Sequence, residues 1–251
     1  MSEVDIRRTF GALLIGGLFA TLLAGVVGIQ TLIYFKLYPR DSGRLKGLTA
    51  SIWLLDLLHT IFIWLTLWNY LIEWFGQSSE IDVILWPLSI TIILTAILTF
   101  LVHCFFAQRI FRLSRKSYVL TIPIVILAVL RLASASVTTG EMIALGSFTE
   151  FKRRFTWIFT LGLALSTAVD ILITGCLFLL LQTNRSSSRH LNSNLNALID
   201  SLIMYTFETG SMTCAATIVA MILWIVMPHN LIFMGLHFVI GKFYANSYLV
   251  T

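Results

Sequence analysis

Seven apolar runs, each near or above the roughly 20 residues that cross a bilayer as a helix, fill almost all of this 251-residue chain. They lie at 10–34, 49–72, 83–106, 118–137, 155–181, 199–227 and 231–249. Backbone amides find no water in hydrocarbon, so only helices or closed barrels can span it. Barrel strands would alternate polar and apolar residues over about ten positions, whereas these runs are continuous. The expected fold is therefore all-α, one seven-helix transmembrane domain over 1–251. Composition agrees: with 58% hydrophobic and 12% charged residues and a mean hydropathy of +0.90, a water-soluble domain would lack a polar surface. The first run follows Arg7 and Arg8, as in a signal peptide. It exceeds the roughly 7 to 15 apolar residues of such a leader, and no clear cleavage site follows, so it reads as a retained span.

Orientation follows from the connections, because Lys and Arg in short loops tend to stay cytoplasmic. The first, third and fifth loops carry Lys36, Arg40, Arg44, Lys46, Arg109, Arg112, Arg115, Lys116, Arg185 and Arg189. The opposite side carries Arg7, Arg8, Lys152, Arg153 and Arg154, and its second loop is purely acidic, with Glu73, Glu80 and Asp82. The balance places the N-terminus outside and the C-terminus in the cytoplasm, in the plasma membrane or an endomembrane. A glycan on Asn184, in the sequon Asn184-Arg185-Ser186, would reverse it. The net charge of +5 then needs no nucleic acid: a cytoplasmic patch of Arg109, Arg112, Arg115 and Lys116 suits anionic lipid headgroups, with a docking surface for a cytoplasmic protein as the alternative.

Other features are quiet. Cys104, Cys176 and Cys214 fall within or beside apolar runs, so neither a structural disulfide nor a metal cluster is expected. Pro87 and Pro123 suit first helical turns, Pro39 a loop and Pro228 a tight turn, so broken mid-membrane helices of the transporter kind are not signalled. The first run has two rows of small residues, Gly17, Thr21, Gly25 and Ala20, Ala24, Gly28, which permit close backbone approach. Packing within the bundle is the first reading of these rows, and a homodimer through this face the second.

The interior polar residues carry the functional information, since each ionisable group in hydrocarbon costs about 3 kcal/mol on insertion scales and needs a partner. Helical spacing aligns Asp56, His59 and Thr60 on the second helix and Thr91, Thr95, Thr99 and His103 on the third. It likewise aligns Ser166, Thr167, Asp170 and Thr174 on the fifth, and Ser201, Tyr205 and Glu208 on the sixth. Lys242, with Asn246 one turn on, is the deep cation of the seventh. At about 1.5 Å per residue, Asp56, His59, Asp170, Glu208 and Lys242 can share one layer, while Arg131 falls toward the outer end of its run and can snorkel to headgroups.

For Lys242 three roles are open: an interhelical salt bridge to Asp170, Glu208 or Asp56, a switch in which that bridge breaks on ligand or proton arrival, and a Schiff-base lysine holding a chromophore. Balancing the carboxylates is favoured, so no cofactor is expected. His59 and His103 read as hydrogen-bonded residues rather than metal ligands, since no H-E-x-x-H occurs. Neither a G-x-S-x-G elbow nor a P-loop is present, and nothing marks the chain as an enzyme.

Several segments together resemble a family. They are Leu54-Leu55-Asp56-Leu57-Leu58-His59-Thr60, Cys104-Phe105-Phe106-Ala107-Gln108-Arg109-Ile110-Phe111-Arg112-Leu113-Ser114, Val169-Asp170-Ile171-Leu172-Ile173, and Met227-Pro228-His229-Asn230 leading to Gly241-Lys242-Phe243-Tyr244-Ala245-Asn246-Ser247. In this order they are similar to an uncharacterised family of basidiomycete fungal membrane proteins with a domain of unknown function, over nearly the whole chain. The resemblance implies a seven-helix integral membrane protein without an assigned activity, and a polar cytoplasmic tail beyond Thr251. It also implies Asn at position 208 and Gln at position 103, where this chain has Glu208 and His103.

Receptor-like sensing or signalling through the buried polar network is the favoured function, on the strength of unbroken helices, basic cytoplasmic loops and a one-layer network. The ligand stays unspecified. D-R-Y and N-P-x-x-Y signatures are missing, so the G-protein-coupled type is not indicated. The alternative is a proton- or solute-linked transporter or channel, for which the same titratable groups would serve.

Overall fold

A computed structural model describes residues 6–77, 82–188, 193–227 and 230–250, with side chains over 9–77, 82–183, 201, 204–227 and 230–250. The described residues form seven helices: α1 (Ile6–Leu37), α2 (Gly43–Trp68), α3 (Trp86–Leu113), α4 (Tyr118–Leu145), α5 (Phe148–Ser188), α6 (Ser193–Val226) and α7 (Ile232–Val250). A π-helical turn, Asn69–Glu73, prolongs α2. Six of them, α1 to α6, are long and apolar enough to cross a membrane. α7 falls short of that hydropathy because His237, Lys242, Asn246 and Ser247 interrupt it. Its neighbours make this tolerable: α7 packs on α1, α2, α3 and α6 and bonds to α5, so its polar groups never need to face lipid.

The burial pattern is inverted relative to a water-soluble protein. Leu22, Ile29 and Leu32 of α1, Leu54 and Ile61 of α2, and Ile126 and Val129 of α4 are exposed, while Asp56, Asp170, Arg131 and Lys242 are buried. Hydrocarbon outside and satisfied polar groups inside is what a bilayer solvent selects. Exposed Trp68, Trp86 and Trp157 ring one end of the bundle and Tyr38 and Tyr118 the other, as interfacial aromatics do. α3, at 28 residues, is about 42 Å long, enough to cross the core and both headgroup layers.

Helix ends depart from the apolar runs because a helix can continue into the polar interface. α4 extends to Leu145, past the expected end at 137, and is closed by Gly146 at φ 62°. α3 begins at Trp86, not 83, with Pro87 in its first turn, and continues to Leu113. Arg109 and Arg112 therefore ride on its last turns, and the third connection shrinks to 114–117, with Arg115 and Lys116 at φ 55° and 70°. Pro123 lies inside α4, five residues after Tyr118, not in the first turn. The carbonyl it frees, on Val119, belongs to an exposed residue where polar partners are at hand. α5 is interrupted at Phe155 (φ −124°, ψ 16°), the position where the apolar run begins. Pro228, His229, Glu80, Arg189 and the side chains of Arg7, Arg8, Asn184 and Arg185 lie outside the described residues.

The end opposite the basic turns is stitched together by Asp82. Its carboxylate accepts from the Ser147 hydroxyl and, at 2.8 Å, from the Thr149 amide, capping α5. The Ile84 amide donates to Gly146 at 2.8 Å, and Tyr70 donates to the Val83 carbonyl at 2.6 Å. The α2–α3 connection is thereby tied to the α4–α5 turn, and Asp82 serves there as a cap rather than as free surface charge.

α1 and α7 lie side by side with the same direction, touching from Gly16 against Gly235 to Gln30 against Asn246. A Cβ on Gly235 would sit 2.4 Å from the Ala12 carbonyl oxygen, and one on Gly16 would sit 2.2 Å from that of Gly235. These two glycines set the crossing. Of the small-residue rows, Gly17 packs on Leu67 of α2 and Ala20 is buried, whereas Gly25 is exposed with nothing near its missing Cβ.

Candidate functional site

α7 carries two polar clusters on opposite faces. Lys242 and Tyr244 are two residues apart, hence about 200° around the helix axis, and one looks toward α2 while the other looks toward α5.

The first cluster joins α7 to α2 and α3. Lys242 is fully buried, and its Nζ stands 2.8 Å from Asp56 Oδ1. It also donates to the Asp56 carbonyl at 2.8 Å and to Thr60 Oγ1 at 2.7 Å. The ammonium thus makes two hydrogen bonds, and the contact with Asp56 Oδ1 is an ion pair without hydrogen-bond alignment. The Thr60 hydroxyl donates to the Asp56 carbonyl at 2.9 Å, closing the ring. His59 lies one turn along, 3.1 Å from Thr95 Oγ1. Gly241 packs against this pair at ordinary distance, since a Cβ there would meet Thr95 at 3.4 Å and the His59 ring at 3.9 Å. Of the three carboxylates open to Lys242 on sequence, Asp56 is the partner.

The second cluster joins α7 to α3 and α5. Asp170 Oδ2 accepts from the Tyr244 hydroxyl at 2.6 Å, and Oδ1 lies 3.2 Å from His103 Nε2. The Tyr244 oxygen is also 2.9 Å from Ser166 Oγ, and its ring meets the His103 ring edge-on at 5.4 Å. With the Tyr244 hydroxyl donating to one oxygen of Asp170, His103 Nε2–H donates to the other, and in the neutral ring Nδ1 is then a lone pair. That Nδ1 is buried without a partner.

Further along the bundle, Asn246 accepts from Gln30 Nε2 at 2.6 Å, and Thr49 meets the Tyr248 hydroxyl at 2.9 Å. α7 is thus tied to α1, α2 and α5 by side-chain hydrogen bonds, and to α3 by the ring contacts of Tyr244 with His103 and Tyr248 with Phe105.

Three placements differ from the sequence expectation. Glu208 is exposed on the outer face of α6 with Ser201 and Tyr205, so it takes no part in the interior network. The face of α6 turned inward carries Thr206, Thr213, Thr217 and Trp224 instead. Arg131 does not snorkel: it lies 13 residues after Tyr118 and 14 before Leu145, mid-helix, and is buried. Its charge interacts with Asp170 and Tyr244, yet Nε and Nη1 have no hydrogen-bond partner. His237, which the sequence reading did not single out, is buried on α7 with both ring nitrogens unpartnered and near Arg131. The available signal was spacing, since His237 is seven residues before Tyr244 and so on the same face.

The buried charges balance: Lys242 with Asp56 in contact, and Arg131 with Asp170 at longer range. Beside the second cluster is a small cavity of about 20 Å³, lined by His103, Asp170 and Tyr244 with Thr206, Thr213 and Ser247. At the basic end, Arg112, Arg115 and Lys116 line an open groove with Gln108 and Phe111, while Arg109 is half-buried on the preceding turn.

Residues 166–251 match the model of a family of unknown function (DUF6534). The match runs from within α5 to the end of the chain and contains Asp170, Glu208, Lys242 and Asn246, whereas Asp56, His59 and His103 lie before it. Comparison with curated proteins and with solved structures returned no match.

Proposed function

We propose that the chain is a receptor-like integral membrane protein in which α7 is the moving element and its two polar clusters hold the resting state. The observation that carries this is the position of α7: it is enclosed by five helices and anchored through Lys242–Asp56 on one side and Tyr244–Asp170 on the other. A stimulus that weakens one anchor frees the helix to shift toward the other. Close packing around these anchors makes the two arrangements discrete rather than continuous.

In this reading the N-terminus is outside, and Arg109, Arg112, Arg115 and Lys116 face anionic headgroups of the cytoplasmic leaflet, where each cation is worth about 1 kcal/mol. The membrane is the plasma membrane or an endomembrane. The match over 166–251 supports a link to a family of unknown function, and grouping the chain with the basidiomycete seven-helix proteins that it resembles is part of this proposal.

One observation favours a second reading, a proton-linked transporter. The His103–Asp170 pair borders a cavity, and nearby stand Arg131, with Nε and Nη1 lacking hydrogen-bond partners, and His237, with both ring nitrogens lacking them, as stations of a proton path would. Reconstitution separates the two. Purified protein in liposomes holding a pH-sensitive dye is placed under a proton gradient. The receptor reading expects the leak of empty liposomes. Proton flux in wild type that disappears in Lys242→Ala and Asp170→Asn refutes it and establishes the transporter.

A further inference from the structure

We infer that the open groove on the lipid-facing side of α5, beside α6, holds an anionic glycerophospholipid, with its phosphate on Arg153 and Arg154 and one acyl chain lying along Trp157, Leu161 and Ala164. The site is at the opposite end of the bundle from the patch of Arg109, Arg112, Arg115 and Lys116, and it stands apart from the receptor-like reading.

The basic run Lys152-Arg153-Arg154 lies at the same end as the acidic second connection, and its three cations are used differently. Lys152 turns into the bundle, with Nζ 4.8 Å from the centre of the Trp224 ring and 5.4 Å from that of Phe233. Arg153 and Arg154 stay exposed and share one counter-ion. Nη2 of Arg153 stands 2.8 Å, and Nε of Arg154 2.5 Å, from the same oxygen, Oε1 of Glu150. One carboxylate against two guanidinia leaves one positive charge over, and each guanidinium has spent a single nitrogen on it. A phosphodiester supplies the missing negative charge, and the N–H groups left over are the planar forks that bind phosphate oxygens.

Below the arginines the groove is apolar, and its length suits one leaflet. Trp157, Leu161 and Ala164 recur at steps of four and three, so they share one face of α5 with the arginines above them. From Arg154 to Ala164 the rise is about 15 Å, half of a hydrocarbon core of about 30 Å. Exposed Trp157 belongs to the aromatic ring at this end of the bundle, so the guanidinia one turn beyond it are level with phosphates. Ile225 of α6 forms the opposite wall, and the Trp224 indole fixes α6 there by donating to Thr160 Oγ1 at 3.1 Å. Thr156 and Thr160 also line the groove, but their hydroxyls donate to the Lys152 and Thr156 carbonyls and leave a tail no unmet polar group. The volume, about 720 Å³, lies within the roughly 300 to 1,000 Å³ of small-molecule sites. A soluble anion would use only the mouth, and a fatty chain without a phosphate only the floor. A phospholipid uses both.

The test is lipid competition on the whole chain, purified in a non-ionic detergent and read by native mass spectrometry. Phosphatidylglycerol is expected to stay bound in preference to phosphatidylcholine with the same chains. Arg153→Gln and Arg154→Gln should each weaken its retention about fivefold, the worth of one cation beside an anionic headgroup. Ala164→Phe, which fills the lower groove from an exposed position, should weaken it as well with both arginines in place. The double variant Arg112→Gln, Arg115→Gln controls for the patch at the other end. Retention lost in that control and unchanged in the α5 variants overturns the inference. Equal retention of the two lipids, or full retention in Ala164→Phe, does the same. So does displacement of the lipid by glycerol 3-phosphate, which assigns the mouth to a soluble anion. All three α5 positions are exposed, so these variants are expected to fold, and should one fail the other two decide.

Discussion

Replacing Lys242 by Met tests whether this lysine is there to neutralise Asp56. Met has similar length, so packing is largely kept and the charge is what disappears. At 2.8 Å the pair attracts by about 6 kcal/mol at an effective dielectric of 20, a gross figure offset by desolvation of both groups. Removing one partner leaves Asp56, 2% exposed, as an uncompensated carboxylate, which costs about 3 to 5 kcal/mol. The two hydrogen bonds that vanish with the ammonium, to the Asp56 carbonyl and to Thr60, add less, about 0.6 kcal/mol each by the average for membrane proteins. The charge decides the outcome. Lys242→Met should lose about 4 kcal/mol, Asp56→Asn a similar amount, and the double variant only about 1 kcal/mol, because a neutral pair has no charge left to solvate. The assay is reversible unfolding in mixed micelles, read by far-UV circular dichroism as the fraction of denaturing detergent rises. Lys46→Met, whose ammonium bonds an exposed carbonyl of Pro39 at 2.6 Å, is the near-neutral control. If the double variant loses the sum of the singles within about 0.5 kcal/mol, the two residues are not coupled and the reasoning fails.

The helix crossing gives a steric prediction: Gly235→Ala drives a Cβ into the Ala12 carbonyl and should cost about 1 to 3 kcal/mol, while Gly25→Ala meets nothing and should be neutral or slightly stabilising in the same assay. Asp170→Asn keeps one acceptor oxygen but sets an NH2 donor against either the Tyr244 hydroxyl or His103 Nε2, and it removes the counter-charge of Arg131, for an expected loss of about 2 kcal/mol. Adding Arg131→Met should recover about half of that, and no recovery would mean that Arg131 does not depend on Asp170. In cells, Asn184 should carry no glycan if the N-terminus is outside; a mobility shift reversed by an endoglycosidase and lost in Asn184→Gln would invert the orientation.

What could be read in the sequence and what could not separates along one physical line. Depth is a one-dimensional property, and residue counts alone put Asp56, His59, Asp170, Glu208 and Lys242, on α2, α5, α6 and α7, in one expected layer. Which side of a helix faces inward needs contrast between its faces. α6 is apolar almost all round, so the stripe Ser201, Tyr205, Glu208 looked as good an interior as the true one through Thr206, Thr213 and Thr217. For Arg131 the failure was in length: Thr138, Thr139 and Glu141 lower the hydropathy, the run ended too early at 137, and a mid-helix arginine was taken for a terminal one. Pairing is harder still. Three carboxylates were open to Lys242, and only the packing of α7 against α2 singled out Asp56.

The polarity of α7 and its central position are two aspects of one constraint. A helix with His237, Lys242 and Asn246 cannot face lipid, so it has to be enclosed, and an enclosed helix needs specific partners to fix its rotation and height. The two clusters supply them on opposite faces, which couples them mechanically. In the proposed receptor-like reading, movement of α7 that lengthens the Tyr244 to Asp170 bond would press Lys242 toward α2, and loss of the Asp56 pair would push the other way. In the same reading, a stimulus at the second cluster would act on Lys242 through the rigid turn of α7 that carries both Lys242 and Tyr244, with no chain of intervening side chains required. Differential binding to the two positions of α7 then sets how far the equilibrium shifts, and neutralising Lys242 and Asp56 together should weaken that response even where it leaves the fold intact.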